Sequence, residues 1–117
     1  MQPLRLSDGW KALARKREGE RNQLIQASRA YAKRVRRDFP QARVFLYGSV
    51  ARGDFNLSSD LDLLIVDAAL PEHPLERSAL LYTFVANREE PKGLLVEEFG
   101  RLQEQGKLWF LEGAIEL

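Results

Sequence analysis

The sequence predicts an α+β fold, a small mixed β-sheet covered by helices, and three observations lead there. Residues 24–39 carry one apolar stripe at helical spacing, closed off by Pro40. Two apolar runs, Arg43–Tyr47 and Leu61–Val66, read as buried strands joined by a polar loop containing glycine and serine. Beyond them the chain alternates again between helical and extended patterns. The length of 117 residues suits a single domain over 1–117 with one modest core, a basic helical segment 1–40 packing on 41–117.

Taken in order, Ser7 and Asp8 are candidate N-caps for a helix that Trp10, Leu13 and Ala14 begin. Gly19 weakens that helix, so residues 8–18 and 20–38 form either two helices or one bent one. In the second stretch Leu24, Ala27, Ser28, Tyr31, Val35 and Phe39 make the stripe, and Arg29, Lys33, Arg36 and Arg37 lie largely off it. Tyr31 and Phe39 are therefore core residues. Pro40 ends the helix because its ring and missing N–H do not allow another turn. Pro71 and Pro74 bracket a loop, 75–87 reads as a helix through Leu80, Leu81 and Phe84, and 88–93 reads as a turn. A short third strand follows at 94–96. Residues 97–112 read as a helix with Leu102, Leu108, Trp109 and Leu111 facing the core and Gly106 interrupting it. Gly113 precedes a final short strand or tail.

Composition narrows the chemistry. With no cysteine there is no disulfide, no thiolate nucleophile and no cysteine-bound zinc. The first eight residues lack the apolar centre of a signal peptide, and no apolar run approaches the roughly 18 residues that span a bilayer. The expectation is a cytoplasmic protein without a membrane partner. Net charge is only +1, yet residues 1–43 hold twelve lysines and arginines against four acids, and the remainder carries the opposite excess. Such a distribution marks either a segment that binds RNA or an acidic partner, or a solvated helix face.

The most informative stretch begins at Gly48-Ser49 and ends, ten residues later, at Asp60-Leu61-Asp62. Alternation along a strand puts Asp60 and Asp62 on one face and Leu61 and Leu63 on the other. Two carboxylates so placed repel each other unless a cation or proton lies between them. Hard oxygen ligands of this kind suit Mg²⁺, which is commonly held by one or two carboxylates plus substrate phosphates.

Gly48-Ser49, the Ala51-Arg52-Gly53 that follows, and Asp60-x-Asp62 resemble the minimal nucleotidyltransferases of the DNA polymerase beta-like superfamily. The resemblance implies a polymerase beta palm-like fold, with Asp60 and Asp62 as catalytic ligands of one or two Mg²⁺ ions. It implies an NTP substrate, ATP foremost, bound through Gly48, Ser49 and Arg52. Glycine would let the backbone approach the triphosphate, Ser49 would offer a short hydroxyl, and a helix starting there would present free N–H groups. Arg52 has an equal alternative in pairing with Asp54 or Asp67. The acceptor of the nucleotide would be a hydroxyl, possible acceptors including a partner protein, since many minimal nucleotidyltransferases are antitoxins beside a helical HEPN-type partner.

The resemblance also implies a third carboxylate before an apolar run and a Glu-Glu-Phe. Here the run is followed by Glu97-Glu98-Phe99, and Gly93 stands at the expected place, with Glu97 or Glu90 as substitutes. Two alternatives to an active enzyme follow: a degenerate, antitoxin-like binding protein, or a catalytic subunit that needs a separate substrate-binding partner. His73, the sole histidine, reads as a loop residue, Asp67 falls on the wrong face, and Trp10 and Trp109 read as packing residues or a partner surface.

Overall fold

The computed structural model describes residues 6–56 and 58–117. The chain runs through α1 (Leu6–Asp38), β1 (Arg43–Tyr47), α2 (Ser49–Arg52), β2 (Leu61–Val66), α3 (Pro74–Tyr82), β3 (Glu89–Leu94), α4 (Val96–Glu104), a 3₁₀ turn (Trp109–Leu111) and β4 (Ile115–Glu116). The strands form one mixed sheet in the order β3-β2-β1-β4, with β2 and β3 parallel and the other pairs antiparallel. Strand β2 reaches β3 through α3, as a parallel pair requires. The α+β expectation holds.

Helix α1 is continuous. Gly19 sits within it without a break, because one glycine costs only about 1 kcal/mol against alanine. The helix already includes Leu6 and Ser7, so Asp8 lies in its first turn and not at an N-cap; Met1 to Arg5 fall outside the described residues. Its second half buries Ile25, Ser28, Tyr31, Ala32 and Val35 against one sheet face, where Val44, Leu46, Leu61, Leu63 and Ile65 meet them. Phe39 is partly buried against the same core. The first half extends past the sheet. Trp10 there is 66% exposed and Leu13 is exposed too, so the packing role expected of Trp10 is corrected.

The opposite sheet face is covered over only part of its length. Phe45, Tyr47, Leu64 and Val66 meet Phe99 of α4, with Leu108, Phe110 and Leu111 packed alongside. The rings of Phe45 and Phe99 stack at 5.7 Å. Helix α4 stops at Glu104, where Gly106 takes φ +67° and the N–H groups of Gly106 and Lys107 return to the carbonyls of Gln103 and Leu102. That paired closure is a Schellman stop. A helix over 97–112 is therefore corrected to α4 plus a 3₁₀ turn, and Trp109 is turned outward, 77% exposed.

Two further expectations change. Helix α3 ends at Tyr82; backbone bonds from Thr83, Phe84 and Val85 N–H continue one turn further, and side chains hold the rest, with Arg34 Nε donating to the Phe84 carbonyl (2.8 Å) and Glu89 Oε2 accepting from Ala86 and Asn87 N–H. The third strand covers Glu89–Leu94, not 94–96, so the expected turn at 88–93 is mostly strand. A proline such as Pro91 disfavours a central strand. It is tolerated because β3 is at the sheet edge, where a missing N–H need not break a ladder. Among the described residues no helix is long and apolar enough to cross a membrane.

Candidate functional site

Gly48 and Ser49 follow β1, Asp60 and Asp62 open β2, and Glu90 opens β3. Because β1 and β2 are antiparallel while β2 and β3 are parallel, all of them reach the same end of the sheet. Tyr47 pairs with Asp62, and Asp62 pairs with Glu90. Asp62 shares its face with Leu64 and Val66, on the side that α4 covers only farther along the strand. Leu61, Leu63 and Ile65 point into the other core. The alternation read from the sequence therefore holds across β2.

Gly48 shapes the approach to this end. Its φ of +79° and ψ of −154° lie in a region that only glycine populates readily. A Cβ on Gly48 would strike the Asp62 carboxylate oxygen. The next four residues wind into α2, with Arg52 N–H bonded to the Gly48 carbonyl (3.0 Å) and Gly53 N–H to that of Ser49 (2.9 Å). Between α2 and β2, Asn56 binds Ser58 and Ser59 in a tight polar turn that leads into Asp60. Arg52 is exposed, and its Nε meets Asp54 Oδ2 at 3.4 Å. Of its two expected pairings, the one with Asp54 is present.

The carboxylates are electrostatically unbalanced. Asp62 is held above the usual carboxylate range by burial first and by Asp60, against the pull of Lys92 and Arg52. Glu90 is also raised, chiefly by the charge of Asp60, then by desolvation, by Asp62 and by a side-chain hydrogen bond with Asp60; Lys92 opposes this. The Tyr47 hydroxyl is pushed up to about 12 by burial and by Asp62 and Glu90. Three acids crowded beside one buried tyrosine would be relieved by a cation. Among the described residues no three acidic, histidine or cysteine side chains form a ready-made metal cluster. The donor set suits an ion that completes its shell with water and phosphate, the habit of Mg²⁺.

Of the three positions weighed for a third carboxylate, the structure brings Glu90 to the aspartates. Gly93 pairs with Ile65 and faces α3, where a Cβ would come within 2.7 Å of Arg77 Cδ and Leu81 Cδ1. Glu97 lies in the first turn of α4, beyond the far end of β3. The expected place at Gly93 is thus three residues too late along the strand. The sequence did hold the signal: Glu90, Lys92 and Leu94 alternate with Glu89, Pro91 and Gly93, and only the former three lie on the sheet face that carries Asp62, with Glu90 at its end of the strand.

Other side chains are assigned to architecture. His73 caps α3, its Nδ1 accepting from Leu75 N–H at 3.2 Å. Asp67 is buried and accepts from Ala69 N–H at 2.7 Å. Arg17, Arg21, Arg34 and Arg36 turn inward to bind carbonyls or Glu89, so only part of the basic excess on α1 is a solvated face.

The fold is a small α+β domain with a mixed sheet, and at one end of it a Gly-Ser turn abuts an Asp-x-Asp strand. The chain belongs to the nucleotidyltransferase domain family, whose model matches residues 28–115. A crystal structure from Sulfolobus solfataricus, described as that of a candidate nucleotidyltransferase, has the same fold, with a TM-score of 0.63 and 23% identity over 73% of this chain and 78% of that one. No curated protein matches the chain significantly. A domain of this family acts on a nucleoside triphosphate, as a rule with a divalent metal.

Proposed function

We propose that the protein is a Mg²⁺-dependent nucleotidyltransferase that moves a nucleoside monophosphate, AMP foremost, from a triphosphate to an acceptor hydroxyl. The observation that carries this reading is the convergence of Gly48-Ser49, Asp60, Asp62 and Glu90 at one end of the sheet. Asp60 and Asp62 are the residues that would hold the metal, with Glu90 on the neighbouring strand beside them. A divalent ion held there would supply charge neutralisation on the phosphates and a lower pKa for the attacking hydroxyl.

The chain's own groups have separate tasks. Gly48 leaves the backbone open to the triphosphate, since a side chain there would fill the space beside Asp62. Ser49 donates its hydroxyl to a phosphate oxygen. Arg52, exposed and paired only loosely with Asp54, turns to the phosphates as a further cation. The acceptor oxygen bonds to the α-phosphorus, the bridge to the β-phosphate breaks, and pyrophosphate leaves. The acceptor proton passes to a carboxylate of the site, and Glu90, paired with Asp62 across the two strands, is placed to receive it. The place of Glu90 favours an active transferase over a degenerate binding protein, because Gly93 was the ground for the latter. The acceptor hydroxyl belongs to a partner protein on this reading, and exposed Trp10 and Leu13 on the projecting half of α1 offer it an apolar contact.

Calorimetric titration of the four triphosphates with Mg²⁺ tests the proposal, beside an Asp60→Ala/Asp62→Ala double variant. Metal-dependent binding that disappears in the variant supports the site and names the base. A well-folded wild-type protein that binds no triphosphate overturns it.

A further inference from the structure

Helix α2 is a single turn, Ser49–Arg52, and one turn has little stability of its own. Its last carbonyls have no partner within the helix, and Val50 and Ala51 are buried. Arg21 of α1 fills that need, and Arg17, one helical turn before it, holds the chain just beyond α2. Arg21 donates Nε to the Val50 carbonyl (2.9 Å) and Nη2 to the Ala51 carbonyl (2.7 Å). Arg17 donates Nη2 to the Phe55 carbonyl (2.6 Å) and to that of Gly53 (3.5 Å), with its guanidinium 4.1 Å over the Phe55 ring. A planar fork with fixed donors suits two successive carbonyls, and a cation at the C-terminal end of a helix complements its dipole.

This contact bears on the site because the turn has no slack. Gly48 precedes α2 directly, and its Cα already lies against the Asp62 carboxylate. Any movement of α2 relative to β2 changes the gap between the Gly48-Ser49 backbone and the aspartates. We infer that Arg21, supported by Arg17, is a positioning residue that holds the Gly48–Arg52 turn in register with Asp60 and Asp62. The inference rests on the reading of that turn as the triphosphate site. Both arginines precede Ser28, where the family match begins, so the brace lies outside the matched region. It also gives a use to basic residues that the charge distribution alone would assign to a polyanion surface.

Amide hydrogen exchange and Mg²⁺–ATP titration on Arg21→Ala, Arg21→Lys and Arg29→Ala test it, Arg29 being an exposed residue of the same helix. In Arg21→Ala the Arg52 and Gly53 amides exchange at least about tenfold faster while those of Leu63 to Ile65 do not, matching the loss of a charged hydrogen bond. The nucleotide Kd rises by about tenfold, equivalent to about 1.4 kcal/mol. Arg21→Lys recovers part of both effects, since an ammonium is a point charge and not a fork. Arg29→Ala behaves as wild type. Unchanged exchange at Arg52 and Gly53 overturns the inference, as does faster exchange with unchanged nucleotide affinity or a uniform increase across the sheet. If Arg21→Ala does not fold, Arg21→Lys decides by the same two readouts. A wild-type protein that binds no nucleotide sinks the functional reading instead, and the exchange data still judge the brace.

Discussion

Gly48 and Asp62 are in contact, the glycine Cα lying where any side chain would overlap the Asp62 carboxylate. The backbone of Gly48 is also in a conformation that other residues adopt only under strain. Gly48→Ala should therefore lose about 1–3 kcal/mol of stability from the backbone alone. Urea unfolding measures that loss, and triphosphate titration should show affinity falling further than stability does. Unchanged affinity would mean that the turn is not where the triphosphate lies.

The carboxylates predict how stability follows pH. Asp62 and Glu90 titrate above their ordinary values of 3.8 and 4.5 in the folded protein. Between those values and the raised ones the folded state holds more protons than the unfolded chain, so stability falls as pH rises through that window. At neutral pH the like charges remain a cost, and Mg²⁺ should raise the melting temperature there. Asp62→Asn without metal should melt a few degrees higher, on the scale of a cross-strand pair of about 0.2–1 kcal/mol. It should also lose the response to Mg²⁺. Melting curves across pH, with and without Mg²⁺, check both.

Glu89 has the opposite character to its neighbour. It is buried, meets Arg34 at 3.0 Å and accepts the N–H groups of Ala86 and Asn87. Glu89→Ala leaves those donors and Arg34 without their acceptor and should cost about 2–3 kcal/mol. Since Glu89 anchors the start of β3, triphosphate affinity should drop as Glu90 loses its place. Chemical denaturation and calorimetry report the two effects.

Gly93→Asp separates the two candidate positions for the third carboxylate. The new side chain would enter the α3 face against Arg77 and Leu81, not the site. Arg77 is buried there and donates to the carbonyls of Pro71, Glu72 and Gly93. The variant should lose about 1–3 kcal/mol through overpacking and gain no activity. Glu90→Gln, by contrast, should keep the fold and lower transfer. Unfolding and transferase assays on the pair would expose an error in the strand register if Gly93→Asp raised the rate.

Much of this protein is local, and what is local was legible. The stripe from Leu24 to Phe39, the limits of β1 and β2, and the stretch from Gly48 to Asp62 depend on periodicity, on a glycine-dependent turn and on strand alternation. Each is a property of neighbouring residues. So is the common face of Asp60 and Asp62, which needs only the pleat of one strand. Tertiary structure decided what depends on the pairing of distant segments. Glu-Glu-Pro-Lys-Gly resembles a turn until the sheet edge accommodates Pro91, and only the parallel register with β2 places Glu90 beside Asp62. His73, Trp109 and the arginines of α1 are likewise ambiguous in a linear chain, because a charge or a ring takes its role from the groups brought to it. A helix shows from its sequence which side is apolar. It cannot show that Arg21 will meet the carbonyls of a turn some thirty residues away, since that contact exists only once the core has placed both elements.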